Sequence, residues 1–150
     1  MKQLISIFCL LLFACSSLAD TDECDEAGGW LAAENGEYQK AFSMLKPCEY
    51  EKEVSGKTLG ALAHLYIMIG VAKTNDLDAE MASKFYELIL RASLKGDYDS
   101  LSDLASFYSS GEPLLNIGPN EHISFCLSAI ADHPDTYSEN NIQACLNAER

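Results

Sequence analysis

The sequence predicts an all-α fold of about seven helices. No segment shows the sustained alternation of apolar and polar residues, rich in β-branched side chains, that is typical of strands. Apolar residues instead recur at spacings of three and four in successive segments, which Gly, Pro and Asn separate. Four cysteines, Cys24, Cys48, Cys126 and Cys145, flank two of the predicted turns, as expected if the helices pair into hairpins.

The first three helices are predicted from their stop and start signals. The first covers Glu26 to Glu34 and ends at Asn35-Gly36, because Gly suits the left-handed position after a helix. The second covers Glu37 to Lys46 and is stopped by Pro47. The third begins at Ser55, a suitable N-cap, and runs to about Gly70. Their predicted apolar sides comprise Trp30, Leu31, Ala33, Tyr38, Ala41, Phe42, Leu45, Leu59, Leu62, Ala63, Leu65, Tyr66 and Ile69.

The last four helices each follow a residue that caps helices well. Asp78 or Asp76 begins the fourth, which ends at Lys95-Gly96, and Asp97 begins the fifth, from Tyr98 to about Ser109. Asn120 begins the sixth, which runs through Ala131, and Ser138 begins the last. The predicted inward residues are Met81, Phe85, Leu88, Ile89, Ala92, Leu101, Leu104, Ala105, Tyr108, Ile142, Cys145 and Leu146.

The N-terminal segment, residues 1–19, predicts a signal peptide. Met1-Lys2 is followed by an apolar run to Ala14 and by the small-x-small sequence Ser17-Leu18-Ala19. Residues 20–150 then form one helical domain, and export places its cysteines in an oxidising compartment. The alternative, a lipoprotein box with a lipid anchor at Cys15, is disfavoured because Phe13 stands where a small residue is usual.

The charge of the chain restricts its partners. The net charge is −13, with 23 Asp and Glu against 10 Lys and Arg, so nucleic acid and anionic membrane surfaces are not expected as partners. No segment after residue 19 is apolar enough to predict an integral membrane helix. A basic protein partner is compatible with this charge, and the alternative is that the acidic residues only maintain solubility.

Patterns typical of metal or catalytic sites are not found in the sequence. The cysteines lie far apart, and His64, His122 and His133 are isolated, so no metal or other cofactor is predicted. Asp97-Tyr98-Asp99 lacks the Gly and Glu that a calcium loop requires at fixed offsets. No GxSxG motif occurs, and we expect the protein not to be an enzyme.

An internal repeat is present in the middle of the chain. Leu62-Ala63-His64-Leu65-Tyr66 matches Leu104-Ala105-Ser106-Phe107-Tyr108 at an offset of 42 residues, and each copy precedes a Gly expected to end its helix, Gly70 or Gly111. Between them, Asp78 to Tyr86 combines an acidic start with Ala82 and an aromatic pair. These residues resemble a Sel1-like repeat, a relative of the tetratricopeptide repeat. The resemblance implies a short solenoid of antiparallel helix pairs; the alternative is an unrelated all-α bundle.

The positions of the cysteines predict two disulfides. The turn at Asn35-Gly36 lies about midway between Cys24 and Cys48, and the turn at His133-Pro134 lies between Cys126 and Cys145. Folding each hairpin brings its own pair together. The other two connectivities are possible in principle, but they would link opposite ends of an elongated stack, which the ~4–7 Å Cα separation of a disulfide makes difficult. The chain is therefore expected to be held at both ends by Cys24–Cys48 and Cys126–Cys145.

The resemblance implies a protein-binding function in the bacterial periplasm or outside the cell. Partners would dock on the face formed by the third and fifth helices. The sharpest version is an immunity protein that neutralises a secreted antibacterial effector such as a phospholipase; the alternatives are an envelope adaptor or assembly protein and a β-lactam-binding or β-lactam-hydrolysing Sel1-like enzyme. The candidate partner-binding residues are Lys57, Asp99, Asp103 and Ser106, with Leu114 and Leu115 at one rim.

Overall fold

The computed structural model describes residues 23–74 and 78–148, and this part of the chain folds into seven α-helices. The predicted signal peptide and Cys15 lie outside the described residues. The helices are α1 (Glu26–Glu34), α2 (Tyr38–Leu45), α3 (Gly56–Thr74), α4 (Ala79–Leu94), α5 (Tyr98–Ser110), α6 (Glu121–Asp132) and α7 (Glu139–Leu146). The described residues contain no β-strand, and the predicted all-α class is confirmed.

Short 3-10 turns complete three of the connections. They cover Lys46–Tyr50, Pro113–Leu115 and Pro134–Thr136, and each has a proline in its first turn. Proline favours this place because its missing N–H would be unpaired there in any case. Pro47 therefore ends α2 as predicted, but the chain continues in a tighter helical turn that carries Cys48 and Glu49 into the core.

The predicted capping residues begin their helices. Side-chain oxygens of Ser55, Asp78, Asp97, Asn120 and Ser138 each accept a hydrogen bond from a backbone N–H three residues later. Each cap satisfies an N–H group that the first helical turn leaves without a partner. The starts of α3 to α7 could therefore be predicted from local chemistry alone.

Three sequence predictions are wrong in detail. α3 does not end near Gly70 but continues to Thr74, and a Cβ at Gly70 would overlap the Met81 side chain of α4. This glycine thus permits close approach of two helices rather than a reversal of the chain. Leu31 and Tyr38, predicted to face inward, are 61% and 45% exposed, because none of the described helices covers that side of α1 and α2.

The core runs through all seven helices. Successive helices pack on one another, and α3 also contacts α5, while α4 also contacts α7. At the α3–α5 contact, Gly60 lies where a Cβ would come within 2.5 Å of the Ser100 hydroxyl oxygen and 2.8 Å of an Asp97 carboxylate oxygen. The fully buried leucines and isoleucines are Leu45, Leu59, Leu62, Leu88, Ile89, Leu101, Leu104, Leu127 and Ile142.

Both predicted disulfides are present. Cys24 bonds to Cys48 with a Cα–Cα distance of 4.5 Å, and Cys126 bonds to Cys145 at 5.7 Å. One joins the start of the described chain to the turn after α2, and the other joins α6 to α7. None of the helices within residues 23–74 and 78–148 is long and apolar enough to cross a membrane.

Candidate functional site

A half-open apolar groove of about 370 Å³ lies where α3, α4 and α5 meet. The α3 residues that line it, His64, Ile67 and Met68, are three and four positions apart, so they lie on one side of the helix. The small side chain of Ala82, on α4, leaves room at its base. We call this surface the α3–α5 groove. Besides Ala82, it is lined by His64, Ile67, Met68, Phe85, Phe107 and Glu112.

Aromatic rings fix the shape of the α3–α5 groove. Phe85 lies with its ring centroid 5.3 Å from that of His64 and 5.7 Å from that of Phe107, in edge-to-face arrangements. Tyr86 continues the cluster, 5.8 Å from Phe107, and its hydroxyl is 2.9 Å from the Tyr108 hydroxyl. Such rings have few rotatable bonds and prefer this geometry. The shape of the groove is therefore set by packed aromatic rings rather than by flexible side chains.

A histidine–carboxylate pair stands at one edge of the groove. The His64 Nε2 lies 3.1 Å from an Asp103 carboxylate oxygen, which links α3 to α5. Burial raises the pKa of Asp103 above its ordinary value; His64 opposes this rise, and Asp99 and Asp97 add to it. His64 also lines the groove and contacts Phe85, so the pair forms a polar edge to an apolar surface.

The six candidate binding residues from the sequence are dispersed by the structure. Asp103 lies at the groove through its pair with His64, and Asp99 is exposed one turn earlier on α5. Lys57 is exposed in the first turn of α3, with its ammonium nitrogen 4.6 Å from the centre of the Trp30 ring. Their role in binding a partner stays a prediction.

Ser106, Leu114 and Leu115 lie on other surfaces. The Ser106 hydroxyl donates to the Ser102 carbonyl oxygen and lines a separate cavity of about 270 Å³ between α5 and α6. Leu114 is 43% exposed and Leu115 is half-buried, in a 3-10 turn that packs on α4. Glu112, which precedes this turn, is the residue that reaches the groove.

Sequence reasoning missed most of the groove. Phe85 was assigned to the core and, like Phe107, to the internal repeat, whereas Ile67, Met68 and Glu112 were assigned no role. The signal was present in α3, where apolar residues almost surround the helix: Met68 extends the apolar stripe to a side that the core does not cover, and it is 45% exposed. A helix that is apolar on all sides needs more than one covering surface.

A second polar cluster is buried between the turn after α2 and helices α3 and α4. The Glu49 carboxylate is 1% exposed, forms an ion pair with the Lys84 ammonium group and accepts a 2.9 Å hydrogen bond from the Tyr66 hydroxyl. Arg91 donates to the Glu49 carbonyl oxygen at 2.6 Å, and Glu87 also pairs with Lys84 at 3.0 Å. Every charged group of this cluster is paired, which is typical of a structural link.

The cluster and its surroundings show no metal site. A groove of about 560 Å³ beside Lys84 is lined by Asp78, Glu80 and Glu87 as well as by Tyr66. Within the described residues, no group of three or more His, Cys, Asp or Glu side chains is arranged to hold a metal ion.

Comparison with known proteins gives no assignment. No protein family model, no curated protein sequence and no solved structure matches this chain. The resemblance to Sel1-like repeats rests on the residues of the sequence alone.

The half-buried side chains of Tyr66, Tyr86 and Lys84 predict a loss of stability in alkali. Burial, together with hydrogen bonds to Glu49 and Tyr108, raises the pKa values of Tyr66 and Tyr86. The pKa of Lys84 is also raised: burial lowers it, but its bonds to Glu49 and Glu87 outweigh that effect. The folded chain thus keeps protons that the unfolded chain loses near pH 10, so the free energy of unfolding should fall as the pH rises above about 10.

Absorbance at 295 nm and helical circular dichroism, followed together from pH 8 to 12.5, test this prediction. Of the seven tyrosines in the chain, Tyr66 and Tyr86 should ionise only when the helical signal is lost, and Tyr137, whose pKa is also raised by burial, should ionise after the exposed tyrosines. The variants Tyr66→Phe and Tyr86→Phe should each remove one late-ionising group. Ionisation of all tyrosines near pH 10 with the helical signal intact would contradict it.

Proposed function

We propose that this protein is an exported, non-enzymatic module that binds a basic protein through the α3–α5 groove. The proposal rests on one observation: the groove is apolar, is lined by aromatic rings and has carboxylates at its edges. Asp103 and Glu112 belong to these edges, and the net charge of the chain is −13. A suitable partner segment has an apolar side chain flanked by Lys or Arg. The apolar side chain would be buried in the groove, and the Lys or Arg would pair with the carboxylates at the groove edges.

Charge and apolar contact would contribute differently to this complex. Long-range attraction between an acidic protein and a basic partner raises the association rate. Affinity would come chiefly from burying Met68, Ile67 and the edge of Phe85, since apolar contacts at the centre of an interface dominate binding energy. Exposed acidic residues such as Asp99 would then affect the association rate and its salt dependence more than they affect the dissociation rate.

The sharper version of the proposal is a Sel1-like immunity protein of the bacterial periplasm, which neutralises a secreted antibacterial effector such as a phospholipase. Its support is the internal repeat together with the packing of α3 on α4 and of α5 on α6, which is what stacked Sel1-like hairpins require. The two disulfides suit a protein that works in an oxidising compartment. An inhibited effector would distinguish immunity from an envelope adaptor.

Site-specific photo-crosslinking in the cells that make the protein tests the groove directly. A benzoylphenylalanine placed at Met68 should give one prominent adduct with a basic protein. Benzoylphenylalanine placed at Tyr50, which is 82% exposed and outside the groove, should not give this adduct. Adducts that are equal at both positions, or absent at position 68, would contradict the proposal.

Charge substitutions provide the matched binding measurement. With the crosslinked protein purified, Met68→Asp should weaken its binding at least tenfold, whereas Tyr50→Asp should leave it within twofold. Met68 is 45% exposed, so its replacement should leave the fold intact, as circular dichroism will show. Equal affinities for the two variants would place the interface elsewhere.

A further inference from the structure

The Cys126–Cys145 disulfide shares an open groove with two of the histidines of the chain. The groove has a volume of about 560 Å³ and lies between α6 and α7, and its lining includes His122, Cys126, His133 and Cys145. Isolated histidines and distant cysteines gave no metal pattern in the sequence, but the packing of α7 on α6 brings these four to one surface. Thiolates and imidazoles are the ligands that zinc prefers in proteins.

His122 is the histidine that lies closest to the disulfide along α6. It precedes Cys126 by four residues, so the two side chains are neighbours on one helix face, with Cβ atoms about 5–6 Å apart. Cys145 adjoins them through its bond to Cys126, with a Cα–Cα distance of 5.7 Å. His133 follows the end of α6, seven residues and about 10 Å beyond Cys126 along the helix axis. The compact set of donors is therefore His122, Cys126 and Cys145.

The two sulfurs of this set become metal ligands only when the disulfide is reduced. While it is intact neither sulfur is a thiolate, and within residues 23–74 and 78–148 no group of three or more His, Cys, Asp or Glu is arranged to hold a metal ion. A dithiol reductant breaks the S–S bond by passing two electrons and two protons to Cys126 and Cys145, and is itself oxidised to a disulfide. Two thiolates at about 2.3 Å from one tetrahedral zinc ion lie about 3.8 Å apart, a separation that these Cα positions allow.

We propose that reduction of Cys126–Cys145 creates a zinc site, formed by the thiolates of these two cysteines and the imidazole of His122. Zinc displaces one proton from each thiol, and water occupies the fourth position of the tetrahedron. The two thiolates neutralise the charge of Zn²⁺, and a chain with a net charge of −13 attracts cations.

The zinc ion takes over the structural role of the disulfide. It keeps α6 joined to α7, so this end of the fold is crosslinked by a disulfide in oxidising conditions and by a metal in reducing ones. The inference is independent of the proposed function, because the groove between α6 and α7 and the α3–α5 groove share no lining residue.

Cobalt titration tests the site in the chain expressed from Met1, with Cys24→Ala and Cys48→Ala so that Cys126–Cys145 is the disulfide to be reduced. The reductant is a water-soluble phosphine, which takes the oxygen of water and becomes a phosphine oxide while both sulfurs become thiols. The reduced chain should bind one Co²⁺ ion with the absorption at about 600–750 nm that tetrahedral coordination gives, and the oxidised chain should not. Zn²⁺ should then raise the thermal midpoint of the reduced chain, or restore its helical circular dichroism if reduction has unfolded it.

The two histidines of the groove provide a matched pair of substitutions. His122→Ala in the same background should weaken Co²⁺ binding at least tenfold, because it removes a ligand. His133→Ala removes the histidine that lies two turns from Cys126 and should leave the affinity within twofold. Equal affinities for the two variants would overturn the proposal, since they would show that the folded geometry of α6 does not select the ligand.

The other cysteine pair is the second control. A chain with Cys126→Ala and Cys145→Ala retains Cys24 and Cys48, and the third histidine of the chain, His64, lies at the α3–α5 groove. After reduction it should bind Co²⁺ at least tenfold more weakly than the chain that retains the proposed site. Equal binding by both pairs, no binding by either, or binding without the gain in stability or helicity on addition of Zn²⁺ would overturn the proposal.

Discussion

Replacing Lys84 with Met should lower the free energy of unfolding by about 3–5 kcal/mol, because it leaves a buried carboxylate without its cation. Glu49 is 1% exposed, and its only other described side-chain partner is the Tyr66 hydroxyl. Met has nearly the length of Lys, so the substitution removes the charge while retaining most of the packing. Urea unfolding followed by circular dichroism measures the effect.

Lys40→Met is the matched control. Lys40 also pairs with a glutamate, Glu37 at 2.9 Å, but both side chains are about half exposed, and a surface ion pair contributes only about 0–1 kcal/mol. A double variant, Glu49→Gln with Lys84→Met, should recover most of the loss, since Gln keeps an acceptor for Tyr66 without the buried charge. If Lys84→Met and Lys40→Met were equally stable, the buried pair would not hold α4 to the turn after α2.

The helices could be predicted from the sequence because their ends depend on neighbouring residues. A capping side chain such as Asp97 or Ser138 acts within one turn, so its effect can be read from four residues. Gly70 shows the limit of this reasoning. The same residue type serves a left-handed turn at Gly96, with φ of 90°, and a close helix–helix contact at Gly70, and only the position of Met81 distinguishes them.

The candidate site could be predicted only in part. The sequence pointed to the third and fifth helices and included Asp103, but the groove also depends on Phe85 of α4 and on Glu112 beyond α5. Periodicity says which residues share a helix face, but not which face remains open once the neighbours have packed. The Glu49–Lys84 pair joins residues 35 positions apart, and in a chain with 23 acidic residues no spacing singles it out.

Removing both disulfides should have the largest effect on this protein and leave it mostly unfolded. The loops closed by Cys24–Cys48 and Cys126–Cys145 span 24 and 19 residues. A crosslink over such a loop restricts the unfolded chain enough to contribute about 3 kcal/mol, whereas small domains have about 5–15 kcal/mol in total. Each bond also holds one end of the described fold, where α1 packs on α2 and α7 packs on α6 and α4.

Guanidinium unfolding of the oxidised protein, of each Cys→Ala pair and of the four-alanine variant tests this expectation. Each pair should lower the free energy of unfolding by about 3 kcal/mol, and the Cys24/Cys48 pair by somewhat more, since Cys48 is fully buried in the core. Dithiothreitol should destabilise the wild type and leave the four-alanine variant unchanged, which excludes an effect of the reagent itself. An unchanged midpoint for the reduced wild type would contradict the prediction. A chain that loses this much stability on reduction folds well only where disulfides form, which is the physical reason to expect it outside the cytoplasm.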